Sequence, residues 1–230
     1  MNFLSAAEAG VILLSLKVAF WSVLLSLPPA IAVAHLLARK SFPGKTFFDA
    51  LVHLPLVLPP VVIGFALLLL LGRKGPLGSV LEQWFGIVVA FKWTGAALAS
   101  SIMGFPLMVR AIRLSIAAID PRLESAAQTL GASRFRVWTS IVLPLALPGI
   151  VTGAVLSFAR SLGEFGATIT FVSNIPGETQ TLPLAIYSAT QVPGAEGDAL
   201  RLSLFAVVLS VAALAGSEWL TRRAAYHARS

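Results

Sequence analysis

Residues Glu124–Pro144, ESAAQTLGASRFRVWTSIVLP, decide how this chain is read. They run from a polar helix with two adjacent alanines, through a glycine stop, into a new apolar stretch. Asp120-Pro121 precede them and supply a helix start, with Asp as N-cap and Pro at the first helical position. Leu123, Ala126, Ala127 and Leu130 fall at i, i+3, i+4 and i+7 and make one narrow apolar face. Gly131 suits the position just past a helix end, and Ser133 can cap the stretch after it. A water-soluble helix between two membrane spans requires a partner outside the bilayer. The alternative is a short helix lying on the membrane surface, but such helices carry larger apolar residues and basic flanks.

The rest of the chain reads as membrane. It is 57% hydrophobic and 12% charged, with a mean hydropathy of +0.87. A soluble domain carries about 25% charged residues. Cysteine is absent, which excludes a disulfide framework and a thiolate metal site. The three histidines, His35, His53 and His227, have no metal-ligand spacing. The net charge of +7 would suggest nucleic acid in a soluble protein. Here the basic residues sit at the ends of apolar runs and set topology instead. The start, MNFLSAAEAG, lacks a basic n-region, so the first apolar run is expected to remain in the mature protein.

A span needs about 20 mostly apolar residues. Five stretches qualify: Val11–Leu37, interrupted by Lys17 and by Pro28-Pro29; Ala50–Leu71; Phe91–Val109; Val137–Ala159; and Leu202–Thr221. Thr168–Val172 and Leu182–Ala189 are apolar too, but each is too short to cross, so a re-entrant or outer-surface segment is expected. Five spans with the N-terminus outside put Arg39, Lys40, Lys45, Arg110, Arg113, Arg122, Arg134, Arg136, Arg222, Arg223 and Arg229 in the cytoplasm. That is eleven of the 17 Lys and Arg residues, the distribution the positive-inside rule favours. It also makes the 120–136 loop cytoplasmic. The five tryptophans lie mainly near span ends, as an aromatic belt requires.

Prolines interrupt several spans: Pro55, Pro59 and Pro60 in the second, Pro106 in the third, Pro144 and Pro148 in the fourth. Each removes a backbone donor and kinks its helix. Proline is also simply commoner in membrane helices. The density of HLPLVLPPVVIG (53–64) favours a pathway-lining role for the second span, because broken backbone at membrane depth is tolerated facing protein or water. Farther on, Arg160 and Glu164 are spaced i, i+4 and can pair. Ionisable residues inside a membrane mark functional sites, although a pair at the outer interface could merely anchor the fourth span. Gly163 and Gly166 permit close backbone approach. The loop GRKGPLG (72–78) is not a phosphate loop, and no G-x-x-x-x-G-K-[ST] motif occurs in the chain.

The spacing A-A-x-x-x-G, nine residues, then I-x-L-P closely resembles the EAA loop of ABC importer permeases. The run RSLGEFGATITFVSN (160–174), with ARKSFPGK (38–45) and HLPLVLPPVVIG, resembles the oxyanion branch of that family, most nearly its molybdate type, across nearly the whole chain. The resemblance implies an all-α fold, the type I importer permease fold, over a single transmembrane domain 1–230. It implies ATPase coupling by Leu123, Glu124, Ser125, Ala126, Ala127, Leu130, Gly131 and Ala132. Ser125 stands where the family often has Glu, and Glu124 lies one position earlier, so the acidic contact falls to Glu124 if anything bears it. Pathway candidates are Pro55, Pro59, Pro60, Arg160, Gly163, Glu164, Gly166 and Thr168, with Arg160 and Glu164 holding the two glycines at the outer mouth. The implied partners are two ABC ATP-binding subunits, which use ATP-Mg, a periplasmic molybdate-binding protein, a second copy of the chain and the lipid bilayer. No cofactor or metal bound by this chain and no nucleic acid are expected. Sulfate, thiosulfate or tungstate permeases are the near alternatives, and a non-transporting membrane scaffold is the alternative of another class.

Overall fold

The computed structural model describes residues 5–227, without side-chain placement at 214 and 217–227. Among these residues regular structure is helical throughout: α1 (Ala6–Arg39), α2 (Lys45–Val57), α3 (Pro60–Leu71), α4 (Pro76–Phe85), α5 (Trp93–Ala117), α6 (Pro121–Thr129), α7 (Arg134–Val137), a π-turn (Trp138–Val142), α8 (Leu143–Leu162), α9 (Gly166–Val172), α10 (Leu182–Thr190) and α11 (Glu196–His227). Among the described residues three helices are long and apolar enough to cross a membrane: Ala6–Arg39, Trp93–Ala117 and the continuous helix Arg134–Leu162. The pair α2–α3 makes a fourth if it counts as one span. The fifth expected span, Leu202–Thr221, lies in α11, and its last side chains lie outside the described residues, as do Met1–Leu4.

The prolines expected to interrupt spans act in different ways, and Pro55, Pro106 and Pro148 lie inside continuous helices, contrary to that expectation. Pro28 and Pro29 do not interrupt the first span, because α1 runs through them for 34 residues. Its serines turn inward instead, with Ser26 Oγ donating to the Ser22 carbonyl at 2.7 Å. The second span, in contrast, is two helices bent by 109° at Leu58-Pro59. Pro59 and Pro60 lack the donors that would join the helices, and Pro60 begins α3 at N1, where a missing N–H costs nothing. Pro144 is accommodated in a third way. In a regular helix its ring would strike the Ser140 carbonyl, and the π-turn just before it widens the backbone there, with the Leu143 N–H reaching the Trp138 carbonyl.

The core forms around α5, which lies between α1 and α8. Small residues permit this. On α8, Gly149, Gly153 and Ser157 repeat every four residues and face α5. A methyl on Gly153 would lie 3.0 Å from the Met108 carbonyl oxygen, Gly149 rests on Ser115, and Gly104 of α5 rests on Ser157. Close backbone approach of this kind drives helix association where burial from water cannot. One cluster joins Ala30, Ala34 and Leu37 of α1 to Met108, Ile112 and Ile116 of α5 and Val142, Ala146 and Ile150 of the fourth span. A second cluster, at the other end, joins Val18, Leu67, Ala97 and Met103 to Ala167, Phe171 and Val172 of α9. Lys17, the charge within the first span, places Nζ 3.7 Å from the Trp93 ring centroid and so gains a cation–π partner.

The short helices α9 and α10, of 7 and 9 residues, cannot cross a bilayer, in agreement with the sequence reading. α9 packs on α3 through glycines. A methyl on Gly64 would lie 2.5 Å from the Ala167 carbonyl oxygen, and one on Gly166 would lie 2.8 Å from Pro60 Cβ. Gly163 has no such contact, since a methyl there would meet only the Arg160 carbonyl oxygen at 4.0 Å. Gly64→Val is therefore expected to destabilise the detergent-solubilised protein by about 1–3 kcal/mol, the usual cost of overpacking. Gly163→Ala is expected to be neutral. Thermal unfolding of the two variants checks this, and equal midpoints would refute the packing account.

Candidate functional site

Two constellations sit at opposite ends of α8, which spans about 30 Å at 1.5 Å per residue. At its start lies the helix read from ESAAQTLG. Asp120 Oδ1 accepts the Arg122 N–H at 2.9 Å and caps α6. Gly131 has φ +87°. The Gly131 N–H donates to the Gln128 carbonyl and the Ala132 N–H to the Ala127 carbonyl, each at 3.0 Å, which closes the helix as a Schellman motif. Ser133 Oγ then accepts the Arg136 N–H at 3.3 Å and starts α7. Local chemistry alone thus dictates a short helix with a fixed exit direction.

Among the described residues, none of α6 is buried. Its apolar face is turned away from the bundle: Leu123 is 48% and Leu130 89% exposed, Ala126 is exposed and Ala127 half-buried. Phe135 of α7, which the sequence reading passed over, is also 75% exposed. Ser125 is exposed and spends its hydroxyl on the Pro121 carbonyl. Glu124 lies about 100° around the helix from Leu123 and faces the bundle. Its Oε1 is 2.8 Å from Nη2 of Arg39, at the end of α1. The same Arg39 nitrogen donates to the Ile119 carbonyl at 2.9 Å. A cavity of about 330 Å³ opens beside this junction, bordered by His35, Lys40 and Trp138.

At the far end of α8, Arg160 Nη1 lies 2.8 Å from Glu164 Oε2. Glu164 is 1% exposed, and its Oε1 accepts the Ala167 N–H at 2.8 Å, so the carboxylate also caps α9. A charge this deep needs both its ion-pair partner and its hydrogen bonds. Thr168, also buried, donates to the Phe165 carbonyl at 2.9 Å. Gly166 brings the start of α9 against Pro60, at the break between α2 and α3. Pro59, Pro60, Arg160, Glu164, Gly166 and Thr168 are therefore grouped around one junction of α3, α8 and α9. Gly163 is an exposed helix end without close neighbours, and Pro55 lies apart, bordering an apolar cleft of about 430 Å³ with Pro29 and Ile102.

The structure also shows a pairing that no short-range pattern signals. Arg113 of α5 reaches Asp49 of α2 at 2.7 Å, and His53 lies 3.1 Å from the same carboxylate. Arg39 likewise meets its partners across 80 or more residues of sequence. The four-residue repeat of Gly149, Gly153 and Ser157, by contrast, was available as a spacing.

Residues 27–226 match the model of the family described as "Binding-protein-dependent transport system inner membrane component". The chain is 62% identical over 216 residues, 94% of either chain, to the molybdenum transport system permease protein ModB of Haemophilus influenzae. It is 58% identical to ModB of Escherichia coli K12, covering 95% of this chain and 96% of that one. The sulfate transport system permease protein CysT of Salmonella typhimurium is 40% identical over 79% of this chain and 64% of its own length. Among solved structures, a bacterial ABC transporter that imports the polysaccharide alginate superposes with a TM-score of 0.74 at 20% identity, over 96% of this chain and 81% of that one. The agreement in helical architecture and the match over most of the sequence give one conclusion: the chain belongs to the family of binding-protein-dependent transport system inner membrane components.

Proposed function

We propose that this chain is the permease subunit of an ATP-driven importer that moves molybdate across the cytoplasmic membrane by alternating access. The observation that carries the substrate is the 62% identity, over 94% of each chain, to a molybdenum transport permease. The geometry supplies the working parts. α6 offers Leu123, Ala126 and Leu130 outward, with the half-buried Ala127 among them, as the docking face for an ATP-binding subunit. Two such subunits serve a dimer of this chain, and a periplasmic binding protein delivers the anion at the opposite face. ATP-Mg is used by the ATP-binding partners. This chain holds no resident cofactor or metal and makes no covalent chemistry.

The orientation is N-terminus out and C-terminus in, with α11 as the fifth span over Leu202–Thr221. The eleven-to-six charge split supports it, and so does the placement of α6 at the same end as Arg39, Lys45 and Arg113. The Arg160–Glu164 junction then stands at the outer mouth, where it fixes the entrance of α9 against Pro60. Sulfate is the second reading, favoured by the CysT similarity, and competition between the two anions for uptake separates them. A scaffold without transport would not retain an ATP-binding subunit through α6.

Three outcomes are expected. A cysteine introduced at Ser133 of this cysteine-free chain reacts with an impermeant thiol reagent only from the cytoplasmic side; labelling from outside alone would reverse the topology. Ala127→Trp and Gly131→Val insert normally but lose ATP-binding-subunit retention or molybdate uptake, while Gln128→Ala, off the docking face, is mild. Gly131→Val acts through backbone, since φ +87° excludes a β-branched residue. Normal uptake and retention with tryptophan at 127 would remove α6 as the coupling element. Finally, Glu164→Arg abolishes most uptake, and adding Arg160→Glu restores part of it, because the swap recreates the pair. Strictly additive losses in that cycle would contradict a functional pair.

A further inference from the structure

Glu124, the acidic residue within α6, is engaged inside the chain. Glu124 Oε1 is held at 2.8 Å by Arg39 Nη2, and the two side chains are 14% and 19% exposed in the order Arg39, Glu124. We propose that Arg39 is the positioning residue through which motion of α6 drives the first span, and that Glu124 is the handle it grips rather than a contact to the ATP-binding subunit. The inference rests on the importer reading above.

Covalent connection already ties α6 to two of its neighbours. A short corner, Ala118–Asp120, joins it to α5, and α7 joins it to α8. α1 is the flank without such a connection, and Arg39 supplies it. One nitrogen grips both sides of the corner, donating to the Ile119 carbonyl at 2.9 Å while it pairs with Glu124. Arg39 Nε is buried without a hydrogen-bond partner, so the guanidinium holds through a single atom rather than a two-pronged fork. A one-atom grip restrains distance but permits rotation, as a pivot does. The cavity of about 330 Å³ beside it gives α6 room to turn.

What α1 would carry is also visible. Leu37 and Ala34, just before Arg39, are buried against α5, so the end of α1 moves with its helix. At the far end, Ser15 Oγ accepts the Leu182 N–H of α10 at 2.7 Å, and Glu8 lies 3.1 Å from Arg201 of α11. The first span is thus a strut from the coupling helix to the segments at the opposite face.

The test uses the complete complex with its ATP-binding subunit and binding protein in vesicles, and reads molybdate imported per ATP hydrolysed. Arg39→Glu and Glu124→Arg should each retain the ATP-binding subunit and hydrolyse ATP, while the ratio falls about tenfold; the double exchange should return it to within about threefold of the parent. Glu124→Gln keeps the shape and removes the charge, and should lower the ratio about threefold even if the reversals fail to insert. Loss of the ATP-binding subunit in Glu124→Arg but not in Arg39→Glu would show that Glu124 contacts that subunit and would overturn the proposal. An unchanged ratio in Glu124→Gln, or strictly additive losses in the exchange, would also overturn it. Failure of the parent complex to assemble or import would instead refute the importer reading.

Discussion

The close contact of α5 with α8 is the interaction on which the rest of the molecule depends. A bilayer gives no hydrophobic reward for joining two apolar helices, so the contact must come from shape. Gly104, Gly149, Gly153 and Ser157 supply it by letting backbone meet backbone. α8 carries the exposed α6–α7 segment at one end and, at the other, Arg160 paired with the buried Glu164. Because α8 is packed on α5 through Gly149, Gly153 and Ser157, its two ends are held in register.

The two ends are built by contrasting physics. The α6 end is local: Asp120, Gly131 and Ser133 set caps and direction with side chains and backbone within a few residues, and the apolar face is left unpaired. The α9 end is non-local: Glu164 is drawn into the interior, where it needs Arg160 and the Ala167 N–H at once. The break at Pro59-Pro60 is tolerable beside it because Gly64 and Gly166 let α9 cover α3 closely. An irregular backbone at membrane depth survives where protein packs against it.

That division explains what could be read from sequence. The capped helix, its glycine exit, the i, i+4 pair and the inability of 168–172 and 182–189 to cross were legible because each is a short-range pattern. The effect of the prolines was not. Pro28-Pro29, Pro59-Pro60 and Pro144 produce a continuous helix, a 109° bend and a π-turn respectively. The same illegibility holds for Arg39, which reads as one more positive-inside charge until the fold brings Glu124 and Ile119 to it, and for Asp49, whose partner Arg113 lies 64 residues away. Nor does the shared residue type signal that Gly166 meets α3 while Gly163 meets open space.

The function proposed for this chain is import of molybdate together with an ATP-binding subunit and a periplasmic binding protein. Purified complex in sealed vesicles, with ATP on the α6 side and molybdate with its binding protein on the other, tests it most directly. ATP-dependent accumulation of molybdate that excess sulfate reduces little is the expected result. Accumulation that sulfate abolishes, or ATP hydrolysis without any accumulation, would contradict it.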